Sequence, residues 1–125
     1  TARGDISGKP LWVNKGIGRS ISTPSVDGDL IYQAEYSGNI HCLDAKTGQQ
    51  LWVHATNSRI WSSTVVADGK VYCGTEDGEL IVLKAGREKQ LLGKVEFYSP
   101  IYGTPVIAND TVFISTVTHL FAIGK

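Results

Sequence analysis

The chain has 125 residues, with 12 acidic and 12 basic side chains and therefore no formal net charge. Interspersed charges of both signs exclude the basic footprint of a dedicated nucleic-acid or membrane-surface binder. No apolar run nears the roughly 20 residues that span a bilayer as a helix, and two cysteines, Cys42 and Cys73, are too few for a disulfide framework.

Residues 1–10 are polar and do not read as a secretory leader. With Thr1 first and no methionine, the chain reads as a trimmed product or a piece of something longer. Leu11-Trp12-Val13 reads as a lone strand, the tail of a unit whose earlier strands are missing. Ser22 to Val26 predicts a first strand, and Asp27-Gly28-Asp29 a hairpin turn, because Asp-Gly readily supplies the positive φ such turns need. Leu30 to Ala34 is rich in the β-branched and aromatic residues that strands favour. Ser37-Gly38 turns the chain, Ile40 to Leu43 is a third strand, Asp44 to Gly48 turns again, and Leu51 to His54 is a fourth. The next unit repeats the plan: Ser62 to Val66, a turn at Asp68-Gly69, Val71 to Thr75, a turn at Asp77-Gly78, and Leu80 to Leu83. Its fourth strand falls at Leu91-Leu92, where a leucine takes the place of Trp52. A third unit supplies Thr104 to Ile107, Val112 to Ser115 and Leu120 to Ile123.

The repeat is regular. Shifted by 40 residues, Thr23–Trp52 lands without a gap on Ser63–Leu92, and shifted by 81 its first half lands on Thr104–Thr116. Four strands in about 40 residues is the pattern of a propeller blade. The expected fold is all-β: about three four-stranded antiparallel blades, at about 20–54, 60–93 and 101–124 (the last with three strands), preceded by the orphan strand 11–13. Rings close with about four to eight blades, so three make a partial or half propeller. Either more blades complete it, or two copies close a six-bladed ring in which each N-terminal strand covers the partner's open sheet edge.

Residues 42–52, CLDAKTGQQLW, resemble the tryptophan-docking motif A-x-D-x-x-T-G-x-x-x-W of the quinoprotein (PQQ-like) β-propeller family. Asp44, Thr47, Gly48 and Trp52 match, with Cys42 in the alanine place. VDGDLIY, YSGNIHCLD and VADGKVYCGTEDGELIVLK resemble the same family's blade consensus, and HLFAIGK resembles the C-terminal end of bacterial members. The resemblance implies that Trp52, and Trp12 likewise, lies flat between neighbouring blades with its indole N–H on a nearby carbonyl, the partner a buried indole needs. It implies a looser outer wall where Leu92 replaces tryptophan. It also implies an exported bacterial protein, periplasmic or secreted.

The family includes quinone-dependent dehydrogenases, whose chemistry needs PQQ, Ca²⁺, a catalytic aspartate and usually a vicinal disulfide. Here no two cysteines are adjacent, and Asp27, Asp29, Asp68, Asp77 and Asp110 fall in turns. His41, His54 and His119 share no metal-ligand spacing, and His41 occupies an ordinary strand slot. No catalytic or metal-binding residue is therefore expected, and no cofactor in this chain; PQQ with Ca²⁺ belongs to the rival reading, a dehydrogenase segment with its catalytic residues elsewhere. The favoured surface is the propeller end that carries loops, since loops on a rigid scaffold carry function. It offers Arg19 and Arg59, then Trp61 and Tyr102, with Tyr98, Tyr36, Glu35, Glu76 and Asp77 nearby. Arginines and aromatics are what hot spots concentrate, although Trp61 and Tyr102 could equally plug the centre of the ring. The expectation is a non-catalytic binding or scaffold module whose partner is another protein or the rest of its own propeller.

Overall fold

The computed structural model describes residues 9–124. Among them are eleven strands in three antiparallel sheets and no helix. The first sheet has the order β1 (Ser25–Asp27), β2 (Leu30–Ala34), β3 (Asn39–Asp44), β4 (Gln50–Ala55). The second repeats it with β5 (Val65–Ala67), β6 (Lys70–Gly74), β7 (Glu79–Lys84) and β8 (Leu91–Glu96). The third has β9 (Val106–Ala108), β10 (Thr111–Ser115) and β11 (Leu120–Gly124). Every neighbour in a sheet is also a neighbour in sequence, so each sheet is a simple meander. Three such sheets in series, without closure, are a partial propeller.

Tight turns make the meander possible. Asp68 and Gly69 (φ 51° and 72°) and Asn109 and Asp110 (φ 52° and 58°) are two-residue loops with both central residues left-handed. That is the geometry whose twist matches flanking strands, and it favours Asn, Asp and Gly. In the first sheet the loop is Gly28-Asp29 with Gly28 at φ 59°, while Asp27 is the last residue of β1.

The side-chain period of two assigns each strand residue to one inter-sheet layer. Val71, Cys73, Ile81 and Leu83 of the middle sheet pack with Tyr32, Ala34, Ile40, Cys42, Trp52 and Ile60. Their alternates Tyr72 and Leu80 pack the other way, with Ile101, Val112 and Ile114. Both faces of the middle sheet are covered, which is why β6 and β7 read as nearly unbroken apolar runs.

Several expectations are corrected. The first strand of each unit is shorter and begins later than Ser22, Ser62 or Thr104, because the residues before it bond to their counterparts in the neighbouring unit. Ser22 Oγ donates to the Ser62 carbonyl (2.7 Å), Thr23 N–H to Ser63 Oγ (2.8 Å) and Ser63 N–H to Thr104 Oγ1 (3.0 Å). Leu11–Val13 forms no strand; Leu11 and Val13 are exposed and no ladder partner lies beside them among the described residues. Finally, Leu92 does not occupy the place of Trp52. Trp52 lies opposite Cys42, and its counterpart opposite Val82 is Gly93. The turn before β8 holds one residue more than the turn before β4, since Leu43 pairs with Gln50 but Leu83 with Leu91. A one-residue slip moves every side chain of a strand to the opposite face, so Leu92 points away from the layer that Trp52 fills.

Candidate functional site

The motif residues meet at the seam between the first two sheets. Trp52 is buried, its ring centroid 6.0 Å from that of Tyr32. Its indole N–H donates to the carbonyl of Gly86 (2.8 Å), in the turn that leads to β8. Gly86 also donates its own N–H to Tyr32 Oη (2.8 Å), and the Cys42 thiol reaches the same carbonyl at 3.6 Å. Asp44 organises its own turn by accepting from the N–H groups of Lys46 (2.8 Å) and Thr47 (3.2 Å), and it pairs with Arg87 at 3.2 Å across the seam. The Lys46 N–H bond, with Arg87 and Thr47, holds the Asp44 carboxyl below its ordinary value. Thr47 Oγ1 accepts the N–H of Gln49 (3.2 Å). One unit earlier, Trp12 donates its indole N–H to the carbonyl of Ala45 (2.8 Å) and lies on Gly48, whose φ of 77° and missing side chain leave room for the ring.

The loops gather at one end of the sheets. Matching backbone bonds join them: Tyr36 N–H to the Arg19 carbonyl (2.8 Å), Glu76 N–H to that of Arg59 (2.8 Å), and Val117 N–H to that of Pro100 (3.2 Å). Here Tyr36, Trp61 and Tyr102 form a row of rings set edge to face, with centroids 5.1 and 5.7 Å apart. The guanidiniums of Arg19 and Arg59 lie over the Tyr36 ring at 5.0 and 5.5 Å. Trp61 donates to Glu76 Oε1 (3.1 Å) and remains 39% exposed; Tyr102 is 45% exposed. The structure thus brings Arg19, Tyr36, Arg59, Trp61 and Tyr102 together. Tyr98 has no ring contact with them: it is 89% exposed, at a left-handed φ of 56°.

Sequence reading missed the polar cluster beneath this end. His41 is buried, with Nε2 2.8 Å from Glu35 Oε1 and Nδ1 on Gln50 Oε1. Glu35 also accepts from Asn39 Nδ2 (3.0 Å) and from the Gly18 N–H (2.8 Å). Burial alone would raise the Glu35 carboxyl, but the bonds from His41, Asn39 and Gly18 outweigh it and hold it below its ordinary value. The available signal was the hairpin itself: Gln33 pairs with His41 and Ala34 with Ile40, which sets Glu35 within reach of the imidazole. Gly86 carried no comparable signal, because its role depends on a neighbouring sheet.

Both thiols are buried. Burial pushes Cys42 up to about 11 and Cys73 to about 12, far from the thiolate range that a nucleophile needs. Among the described residues no three His, Cys, Asp or Glu side chains converge on a point that could hold a metal.

Three meander sheets in series belong to the PQQ-like repeat class of β-propeller. The family model described as outer membrane protein assembly factor BamB matches residues 2–91, and the chain belongs to that family. An outer membrane protein assembly factor BamB of Burkholderia pseudomallei is 34% identical over 106 residues, which is 84% of this chain and 27% of that protein. The crystal structure of BamB from Moraxella catarrhalis superposes with a TM-score of 0.74 at 22% identity, over 83% of this chain and 33% of that one. Quinohemoprotein alcohol dehydrogenase from Comamonas testosteroni gives a TM-score of 0.65 at 23% identity, over 78% and 17%. The likeness to the two solved structures is one of fold, and the chain spans about a third or less of the length of these relatives.

Proposed function

We propose that this chain is a non-catalytic propeller module that holds a protein partner against the loop end bearing Arg19, Tyr36, Arg59, Trp61 and Tyr102, without a cofactor. The observation that carries the reading is the row Tyr36–Trp61–Tyr102, three rings from three different loops, two of them exposed. Exposed aromatics flanked by arginines are the composition of binding hot spots. The family description, an outer membrane protein assembly factor, is that of a protein acting on other proteins, and it supports both a protein partner and a place in the bacterial envelope. The free edge of β11, where Leu120 is exposed, is covered by a further strand, from other blades of a larger propeller or from a second copy. Light scattering separates these: a monomeric 125-residue chain removes the second copy.

The test is a photo-cross-linker placed at Tyr102 in cells, with Tyr98 as the exposed control. A discrete protein trapped from position 102 and not from 98 supports the docking face; equal or absent trapping at 102 overturns it. Turnover in a dye-linked alcohol oxidation assay with added PQQ and Ca²⁺ would overturn the non-catalytic part.

A further inference from the structure

We propose that the outer edge of the second sheet is a second docking site: an extended segment of a partner protein pairs with β8 and lays an aromatic side chain, tryptophan best, across Gly93 into a vacant slot between the second and third sheets. This site shares no residue with the loop end and does not depend on the reading of that end.

The repeat identifies what is missing. In the first sheet Tyr32, Cys42 and Trp52 stand side by side across β2, β3 and β4, and Trp52 packs into the seam with the second sheet. In the second sheet the same row reads Tyr72, Val82 and Gly93. No side chain takes the place of the indole: a Cβ built on Gly93 meets no atom within 4 Å. A groove of about 180 Å³ runs along this row, lined by Tyr72, Val82, Leu80 and Val95 of the second sheet and by Val112 and Ile123 of the third. It continues the apolar layer that already joins the two sheets, since Tyr72, Leu80 and Val112 belong to both. Tyr32 has the Trp52 ring at 6.0 Å, whereas Tyr72 has no ring partner among the described residues. Apolar cavities of about 150 Å³ stay dry and take up benzene, so a space of this size and lining suits one aromatic ring.

The open side of the groove decides how that ring arrives. Pockets for free ligands bury most of the ligand's surface. Here Val95 is 40% exposed, so a ring alone is poorly enclosed. β8 is the last strand of its sheet, and such an edge presents unpaired backbone groups. A strand added there gains backbone hydrogen bonds, and its residue opposite Gly93 projects to the same face as Gly93. An aromatic side chain at that point covers the bare backbone of a glycine on the neighbouring strand. β4 ends its sheet too, but there Trp52 already fills the row.

The experiment titrates the protein by calorimetry with a short threonine-rich peptide bearing a central tryptophan, with its central-alanine counterpart, with a backbone N-methylated version of the tryptophan peptide, and with free indole. The tryptophan peptide should bind roughly tenfold or more tightly than the alanine peptide, and N-methylation should abolish its binding. Gly93→Trp, which fills the slot from β8 itself, should reduce the tryptophan peptide to the level of the alanine peptide while raising the midpoint of thermal unfolding. Gly93→Val adds fewer atoms at the same point and should also weaken the tryptophan peptide, which keeps the test decisive if Gly93→Trp does not fold. Trp61→Ala, at the loop end, should leave the affinity unchanged. Equal binding of the two peptides, binding of neither, free indole binding as tightly as the tryptophan peptide, undiminished binding to a folded Gly93 variant, or loss of binding in Trp61→Ala overturns the proposal. The loop end is judged separately, by the cross-link at Tyr102.

Discussion

The indole N–H of Trp52 ends on the backbone carbonyl of Gly86, 2.8 Å away and on the next sheet. The turn that bears Gly86 is thereby bound to the first sheet through both backbone groups of that residue, since Tyr32 Oη receives the Gly86 N–H. Ring and hydrogen bond can be separated by mutation. Trp52→Phe, which keeps most of the packing and leaves the carbonyl only the weak Cys42 thiol donor, should cost about 1–3 kcal/mol. Trp52→Ala should cost about 3–5 kcal/mol, as large core truncations do. Urea unfolding of the two variants, read for midpoint at constant slope, checks the order.

The register of β8 makes a second prediction. Gly93 has an ordinary φ, and a Cβ built there meets nothing within 4 Å. A strand glycine gives up entropy and packs nothing. Gly93→Val should therefore stabilise by about 0.5–1 kcal/mol. If Leu92 held the place of Trp52 instead, Leu92→Trp would be the stabilising change; thermal unfolding of both distinguishes the registers.

Gly74 is the opposite case. A Cβ there would collide with Cγ2 of the fully buried Ile101, which has no room to withdraw. Gly74→Ala should destabilise by about 1–3 kcal/mol through overpacking. At the matching point of the first sheet, Ala34 is tolerated beside Ile60, so the cost comes from local spacing. Calorimetric melting of the variant gives the measurement.

Tyr98 sits at φ 56° with its side chain almost wholly in solvent, where little packing offsets the strain. Asn57, in the preceding linker, has φ 61°. Tyr98→Asn should stabilise by about 1 kcal/mol, since Asn tolerates the left-handed region. No effect on the midpoint of unfolding would contradict this.

Stability should fall at both ends of the pH scale. Tyr32 is raised to about 12 by burial, and Cys42 and Cys73 to about 11 and 12. A raised acid stays neutral in the fold and ionises first in the unfolded chain, so its contribution is full below the unfolded value of about 9–10 and is lost as pH climbs toward the folded one. On the acid side His54 is depressed by burial, then by Lys89 and Lys94, and its Nδ1 has no partner among the described residues. It resists protonation when folded, so stability drops as pH falls below about 6.5. The lowered Glu35 and Asp44 add to the loss once pH passes below the ordinary carboxylate range. Unfolding midpoints from pH 3 to 11 should form a plateau between about 7 and 9; a maximum outside it would contradict these assignments.

Blade count, strand order and the gathering of Arg19, Arg59, Trp61 and Tyr102 at one end were legible in the chain. Asp-Gly and Ser-Gly turns, alternating strand residues and a constant period are local properties, and a meander built from them has few ways to fold. The boundaries at Ser22 and Ser62 were not legible, because a serine that could continue a strand spends its hydroxyl on a distant carbonyl instead, Ser22 on that of Ser62 and Ser62 on that of Gly74. Tyr98 was grouped with the other aromatics by proximity in sequence, yet its backbone turns it into solvent.

By itself, the sequence determined that this protein would be a run of four-stranded β units, because turn chemistry and side-chain alternation act over a few residues. The tertiary structure alone decided that Gly93 stands where Trp52 would, that Gly86 anchors the seam, and that Glu35 is held by His41. Each of those depends on which face of a strand meets a neighbour, and one extra residue in a turn reverses that choice without altering the local pattern.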